Sequence, residues 1–65
     1  MFKCGDYVRV KNGFYAGCEG YLEGFYNQFP IVYSFRTYIQ CGMGCIEKMI
    51  EEPEINLELI PEEGE

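Results

Sequence analysis

Residues 5–24 read Gly-Asp-Tyr-Val-Arg-Val-Lys-Asn-Gly-Phe-Tyr-Ala-Gly-Cys-Glu-Gly-Tyr-Leu-Glu-Gly. Within this stretch residues 7–11 alternate, with Val8 and Val10 on one face and Tyr7, Arg9 and Lys11 on the other. That is the period-two pattern of a half-buried strand. Asn12-Gly13 opens a turn region that runs to Gly17, where glycine accepts positive φ without steric cost. A second strand is predicted from Cys18 to Phe25, with Leu22 inward and with Gly20 and Gly24 marking a close approach, a bend or a bulge. The stretch therefore predicts a β-hairpin.

Residues opposite each other in a hairpin share a face, so a register can be tested on paper. Setting Val8 against Leu22 and Val10 against Gly20 puts the apolar groups together. The outer face then pairs Tyr7 with Glu23, Arg9 with Tyr21 and Lys11 with Glu19. The expected ion pair and cation–π pair are each worth only about 0.2–1 kcal/mol, enough to favour an alignment and not to impose it.

Working outward, Asn27-Gln28-Phe29-Pro30 reads as a turn, and Ile31 to Gln40 alternates as the longest predicted strand. Cys41-Gly-Met-Gly-Cys45 is a glycine-rich turn, followed by a predicted fourth strand from Cys45 to Glu51. A helix over Ile46–Glu52 fits the spacing of Ile46, Met49 and Ile50, but it would be short and would lack an N-cap beyond Gly44, so strand is preferred. Pro53 should end the ladder, and Ile55–Ile60 supplies a last short strand. Residues 1–60 thus form one all-β domain, and residues 61–65 form an acidic end.

Sixty-five residues limit the chain to one small core. A hydrophobic share of 48%, with six tyrosines and five phenylalanines, argues for folding rather than disorder. No charged leader precedes an apolar run and no segment approaches the ~20 apolar residues of a membrane span, so a soluble, cytoplasmic protein is expected. The net charge of −6 is uneven: residues 1–46 carry four basic groups against three acidic, while residues 47–65 carry Lys48 against eight glutamates. All eleven aromatics precede residue 39, which places core and recognition surface in the first two thirds.

Gly5-Asp6, Val8, Val10, Gly13, Gly17, Gly20 and Leu22 together resemble a KOW motif, found in transcription elongation factors of the NusG type and in several ribosomal proteins. The resemblance covers residues 5 to about 25, and the later strand pattern is compatible with its fold. It implies a small five-stranded SH3-like barrel and a non-catalytic module that binds protein or RNA of the transcription and translation machinery. This chain lacks the basic character common in ribosomal members.

The outer face of the hairpin gathers Tyr7, Arg9, Lys11 and Tyr21, to which the third strand adds Arg36 and Tyr38. Cations interleaved with aromatics can pair phosphates while stacking bases. Small barrels also leave tyrosines half exposed and answer each cation with a glutamate, and so few basic residues are a weak basis for multi-phosphate binding. Phe14 and Tyr15 are the sharper candidates. Two adjacent aromatics in a glycine-flanked loop do not both turn inward easily, and an exposed one suits a binding hot spot, whereas an inward one would cap the barrel end. A protein is the expected partner, with RNA as the alternative; no membrane and no small-molecule substrate is expected.

Four cysteines without histidine match a four-thiolate zinc site in number. The paper register opposes Cys18 to Asn12, leaving Cys4 about 25 Å further along the strand at ~3.3 Å per residue, so a single four-cysteine site is not expected. The Gly-Met-Gly loop would instead set Cys41 across from Cys45 at disulfide distance, the basis of a low-ranked thiol or metal module at that pair. No cofactor is expected. Nor is catalysis: there is no histidine, Ser34 and Thr37 have no evident base, and the carboxylates lack burial signals that would raise a pKa. The last fifteen residues hold seven glutamates, which reads either as a solvated end or as an acidic inhibitor or regulator that occupies a basic groove on a partner, as a nucleic-acid mimic would.

Overall fold

The computed structural model describes residues 2–61. Five antiparallel strands run in the order β1 (Tyr7–Val10), β2 (Glu19–Tyr26), β3 (Val32–Cys41), β4 (Gly44–Pro53) and, after a 3-10 turn at Glu54–Asn56, β5 (Leu57–Leu59). Their spatial order is β4-β3-β2-β1-β5, a meander whose last strand returns beside the first. The sheet is open, with β4 and β5 as its two edges. The all-β, five-stranded expectation therefore holds, and closure into a barrel is not seen. No helix among the described residues is long and apolar enough to cross a membrane.

Strand β2 serves two ladders. Its first residues pair with β1, at Tyr7–Tyr21, Val8–Gly20 and Arg9–Glu19, and its last pair with β3, from Leu22–Phe35 to Tyr26–Val32 with a bulge between Leu22 and Gly24. The two glycines in β2 divide the work. Gly24 lies at the bulge, while Gly20 is where the ladders press together: a Cβ there would stand 2.3 Å from the Arg36 carbonyl oxygen and 2.6 Å from the Phe35 ring. Only glycine fits that contact.

The core is Val8, Val10, Leu22, Tyr33, Phe35, Ile50 and Leu57, all buried. Val8, Val10 and Leu22 point inward as the alternation predicts. In β3, Tyr33, Phe35 and Thr37 are buried while Arg36 and Tyr38 are exposed, again period two. Ile46–Glu52 is strand, not helix.

The hairpin register differs from the paper alignment by two residues. Residues keep their faces, because two is the side-chain period of a strand, but their partners change. The reason lies in the loop. Ala16 N–H donates to the Gly13 carbonyl (3.2 Å) and Cys18 N–H to that of Tyr15 (3.0 Å), so two turns consume the residues that would otherwise extend the strands. Gly17 N–H closes the loop on the Val10 carbonyl at 2.7 Å, and Lys11 N–H turns away to the Asn56 carbonyl at 2.8 Å. Gly13 and Gly17 both take positive φ, 97° and 99°, as this path requires.

Two further expectations are corrected. Cys41 lies opposite Gly44, and Cys45 opposite Gln40, so the turn is only Gly42-Met43. Cys41, two residues from Ile39, shares its inward face, while Cys45, paired with Gln40, lies on the outward face; the two thiols do not face each other. Glu52, read as part of a solvated acidic run, is buried, and its carboxylate accepts a hydrogen bond from the Asn56 side-chain amide at 2.9 Å. It shares a face with Tyr33, which the ladder sets directly opposite. The acidic end, apart from Pro61, lies outside the described residues.

Candidate functional site: the loop cleft and the outer tyrosine face

Phe14 and Tyr15 occupy the centre of the Gly13–Ala16 turn, and they diverge. Tyr15 turns in and packs against the core, while Phe14 is 93% exposed, held edge-on to Tyr15 with ring centroids 5.0 Å apart. Tyr15 thus caps the end of the core and braces the ring that projects. The loop itself is anchored at both ends by the backbone bonds described above. Asn56 contributes twice, accepting from Lys11 through its carbonyl and sitting 3.7 Å from the position of a Gly13 Cβ through its amide nitrogen.

Beside the loop lies an open cleft of about 490 Å³. Its walls are Phe14, Tyr15, Ala16 and Cys18 from the loop side and Ile39, Gln40, Cys41, Ile46 and Lys48 from the tip of the β3–β4 hairpin. Ile39 and Ile46 are directly opposed across the ladder, and Ile46 is 51% exposed. These residues continue the inward face of β3–β4 beyond the point where β1 and β2 cover it. The sequence marks Ile39 and Ile46 only as inward positions; that Ile39 is half-buried and Ile46 exposed is a consequence of how far the hairpin extends.

The outer face gathers a different set. Tyr7 and Tyr21 stack at 4.7 Å with a 60° tilt, in place of the expected Arg9–Tyr21 pair. Arg9 is held between two carboxylates, Glu58 at 2.9 Å and Glu19 at 3.3 Å. The hydrogen bond and charge of Glu58, with a smaller contribution from Glu19, raise the guanidinium pKa further above its ordinary value. The Tyr7 hydroxyl donates to Glu19 at 2.9 Å, and that bond, aided by partial desolvation and the carboxylate charge, raises the phenol pKa. Tyr26 donates to Glu51 at 2.9 Å with the same consequence. Arg36 pairs with Glu23 at 3.3 Å. Tyr38 is 70% exposed. Lys11 is exposed and makes no ion pair among the described residues.

The predicted site residues therefore fall into two groups. Phe14 and Tyr15 belong to the cleft. Tyr7, Arg9, Tyr21, Arg36 and Tyr38 lie on the outward side, where Arg9 is paired with Glu58 and Glu19 and Arg36 with Glu23; the paper register sets Glu19 and Glu23 opposite Lys11 and Tyr7. Cys4, Cys18, Cys41 and Cys45 are free thiols, and no group of three or more metal-ligating side chains forms among the described residues.

No family model matches the chain, and no curated protein or solved structure matches it significantly.

Proposed function

We propose that this chain is a non-catalytic module that docks on another protein through the β1–β2 loop and the hairpin tip beside it. The observation that carries this reading is Phe14, a large aromatic side chain left 93% exposed on a loop tied down by four backbone hydrogen bonds, next to an apolar cleft. Rigid, exposed aromatic side chains beside a concave apolar surface are what protein hot spots are built from. RNA is the weaker partner. Each arginine of the tyrosine face is engaged by carboxylate, and Glu47 and Glu51 add further negative charge on the same side of β4. Phosphate contacts, which dominate nucleic-acid affinity, would have to displace those pairs.

The KOW resemblance over residues 5–25 supports an SH3-like reading of the fold, to which β5 returned beside β1 adds, and it points to partners in transcription or translation. The acidic outer face favours a second reading, an acidic regulator that fits a basic groove. The Cys41/Cys45 module lacks support, since the two thiols lie on opposite faces. The experiment is a pull-down from lysate paired with a titration of single-stranded RNA, comparing wild type with Phe14→Ala. Tyr15 is left intact because it packs on the core. Loss of a protein partner with Phe14→Ala and no saturable RNA binding is expected; an unchanged partner set would remove the loop from the site. Binding that instead collapses with salt and survives Phe14→Ala would favour the acidic regulator.

A further inference from the structure

The cations of this chain are used unequally. Arg9 and Arg36, on the outer face, are each paired with glutamate. Lys48 is not paired among the described residues, although its own strand carries Glu47, Glu51 and Glu52. Strand geometry explains why: Glu47 and Glu51 project to the opposite face of the ladder, and the Glu52 carboxylate is buried and bound to Asn56. Lys48 is left as the charged group among the described residues that line the cleft, next in line after Ile46 on the same face. Lys11, at the root of the loop that forms the other wall, is likewise unpaired among the described residues.

An ammonium group at the rim of an apolar cleft, in a chain whose outer strand face carries Glu19, Glu23, Glu47, Glu51 and Glu58, selects the charge of what enters. We propose that the cleft receives a segment of a partner protein that carries apolar side chains flanked by carboxylates. The apolar groups would seat against Phe14, Ile39 and Ile46, and a carboxylate would meet Lys48. This rests on the docking function proposed above and adds the chemistry of the partner. The glutamates of the outer strand face would repel the same segment there, so opposite charge at the cleft and like charge on that face both act on specificity. Ile60, whose N–H bonds the Tyr7 carbonyl beside Gly5 and Asp6, lies at the end of β1 opposite the loop.

The test uses a short fluorescein-labelled peptide built from Leu, Phe, Glu and Asp, with counterparts in which the acids are replaced by Gln or by Lys. Binding is read by anisotropy, and its location by amide shifts in the full chain. The acidic peptide should bind, move the amides of residues 14–18, 39–41 and 46–48, and weaken about tenfold or more on Lys48→Glu. The Lys-bearing peptide should gain on the same substitution. Lys48 is exposed, so the variant keeps the fold, which the unperturbed core amides verify.

Equal binding of acidic and Gln peptides, or shifts confined to the outer face, would overturn the proposal, as would failure of the acidic peptide to bind. The outcomes separate the two claims. If Phe14→Ala abolishes binding of every peptide while Lys48→Glu alters none, docking at the loop stands and the acidic partner falls. If Phe14→Ala alters nothing, both fall. A peptide of residues 59–65 that competes at the cleft more strongly than the designed one would make the occupant another copy of this chain, against the proposal.

Discussion

The inward face of the β3–β4 hairpin is one continuous surface with two fates. At its base, Tyr33, Phe35 and Ile50 are buried; two inward positions further, the alternation continues with Ile39 half-buried and Ile46 exposed. Nothing in the strands themselves changes between the two. The difference is cover: β1 runs only from Tyr7 to Val10, and beyond Val10 the chain leaves the ladder for the loop. An alternating pattern states which way a side chain points, and the length of the neighbouring strand decides whether it is buried. In a domain this small, leaving apolar area uncovered forgoes roughly 25 cal/mol per Å² that folding could have used. The open half therefore contributes little to stability, as against the closed half that holds the fold.

Truncating each half should give the largest contrast. Phe35→Ala removes a fully buried ring and is expected to cost about 3–5 kcal/mol, comparable with the whole stability of ~3–10 kcal/mol for a chain of this length. Ile46→Ala, on the same face, should cost about 1 kcal/mol or less. Urea denaturation of the two variants checks this; comparable losses would mean that the tip is covered in solution. Gly20→Ala comes next. Its added methyl meets the Arg36 carbonyl, which is backbone and has no rotamer to yield, so a loss of about 3 kcal/mol is expected, with the β1–β2 and β2–β3 ladders forced apart. If Gly20→Ala melts like wild type, the close approach of the two ladders at that point is wrong.

Thr37 stands at the border between the halves, the last fully covered inward residue of β3, and its hydroxyl donates to the Glu19 carbonyl at 2.8 Å. Thr37→Val keeps the shape and strands that acceptor, for an expected cost of about 1–2 kcal/mol. The midpoint in urea should fall while the dependence on urea stays the same, since the surface exposed on unfolding is unchanged.

These particulars show what sequence patterning carries and where it stops. The faces of Val8, Val10, Leu22, Tyr33 and Phe35 follow from alternation, which is local. The partner of Arg9 does not, because it depends on how many residues the loop spends on its own hydrogen bonds, and the turns at Gly13–Ala16 and Tyr15–Cys18 take two more than the alternation alone suggests. The same local count misplaced Cys41 against Cys45, since a two-residue and a three-residue turn differ by one and a shift of one exchanges faces. Phe14 was legible as an exposed aromatic because two adjacent ring side chains on one turn cannot both face the core. Its neighbours Ile39, Ile46 and Lys48 were not, because the cleft joins residues more than twenty apart in sequence through a loop-to-hairpin approach that no periodicity encodes. Glu52 was missed for a different reason: it stands in an acidic run, yet it pairs with the buried Tyr33 across the ladder and Asn56 meets its carboxylate.

The smallest expected effect lies on the outer face over the covered half, where Tyr7 and Tyr26 donate to Glu19 and Glu51. Both phenols hold their protons more firmly in the folded state than the ordinary tyrosine value of about 10, chiefly because the hydrogen bond to a carboxylate is lost on ionisation. A group whose folded pKa is raised contributes stability below its unfolded pKa and loses it as pH climbs through the folded value. The contribution of these two phenols should therefore be fully present and independent of pH around neutrality, and stability should fall above about pH 10, less steeply in Tyr7→Phe and Tyr26→Phe than in wild type. Phenolate absorbance followed against pH gives the check. Each substitution should remove amplitude from the late, high-pH part of the titration. Loss of amplitude from the early part would mean that the hydroxyl–carboxylate bonds do not persist in solution, and the outer face would then present its glutamates free.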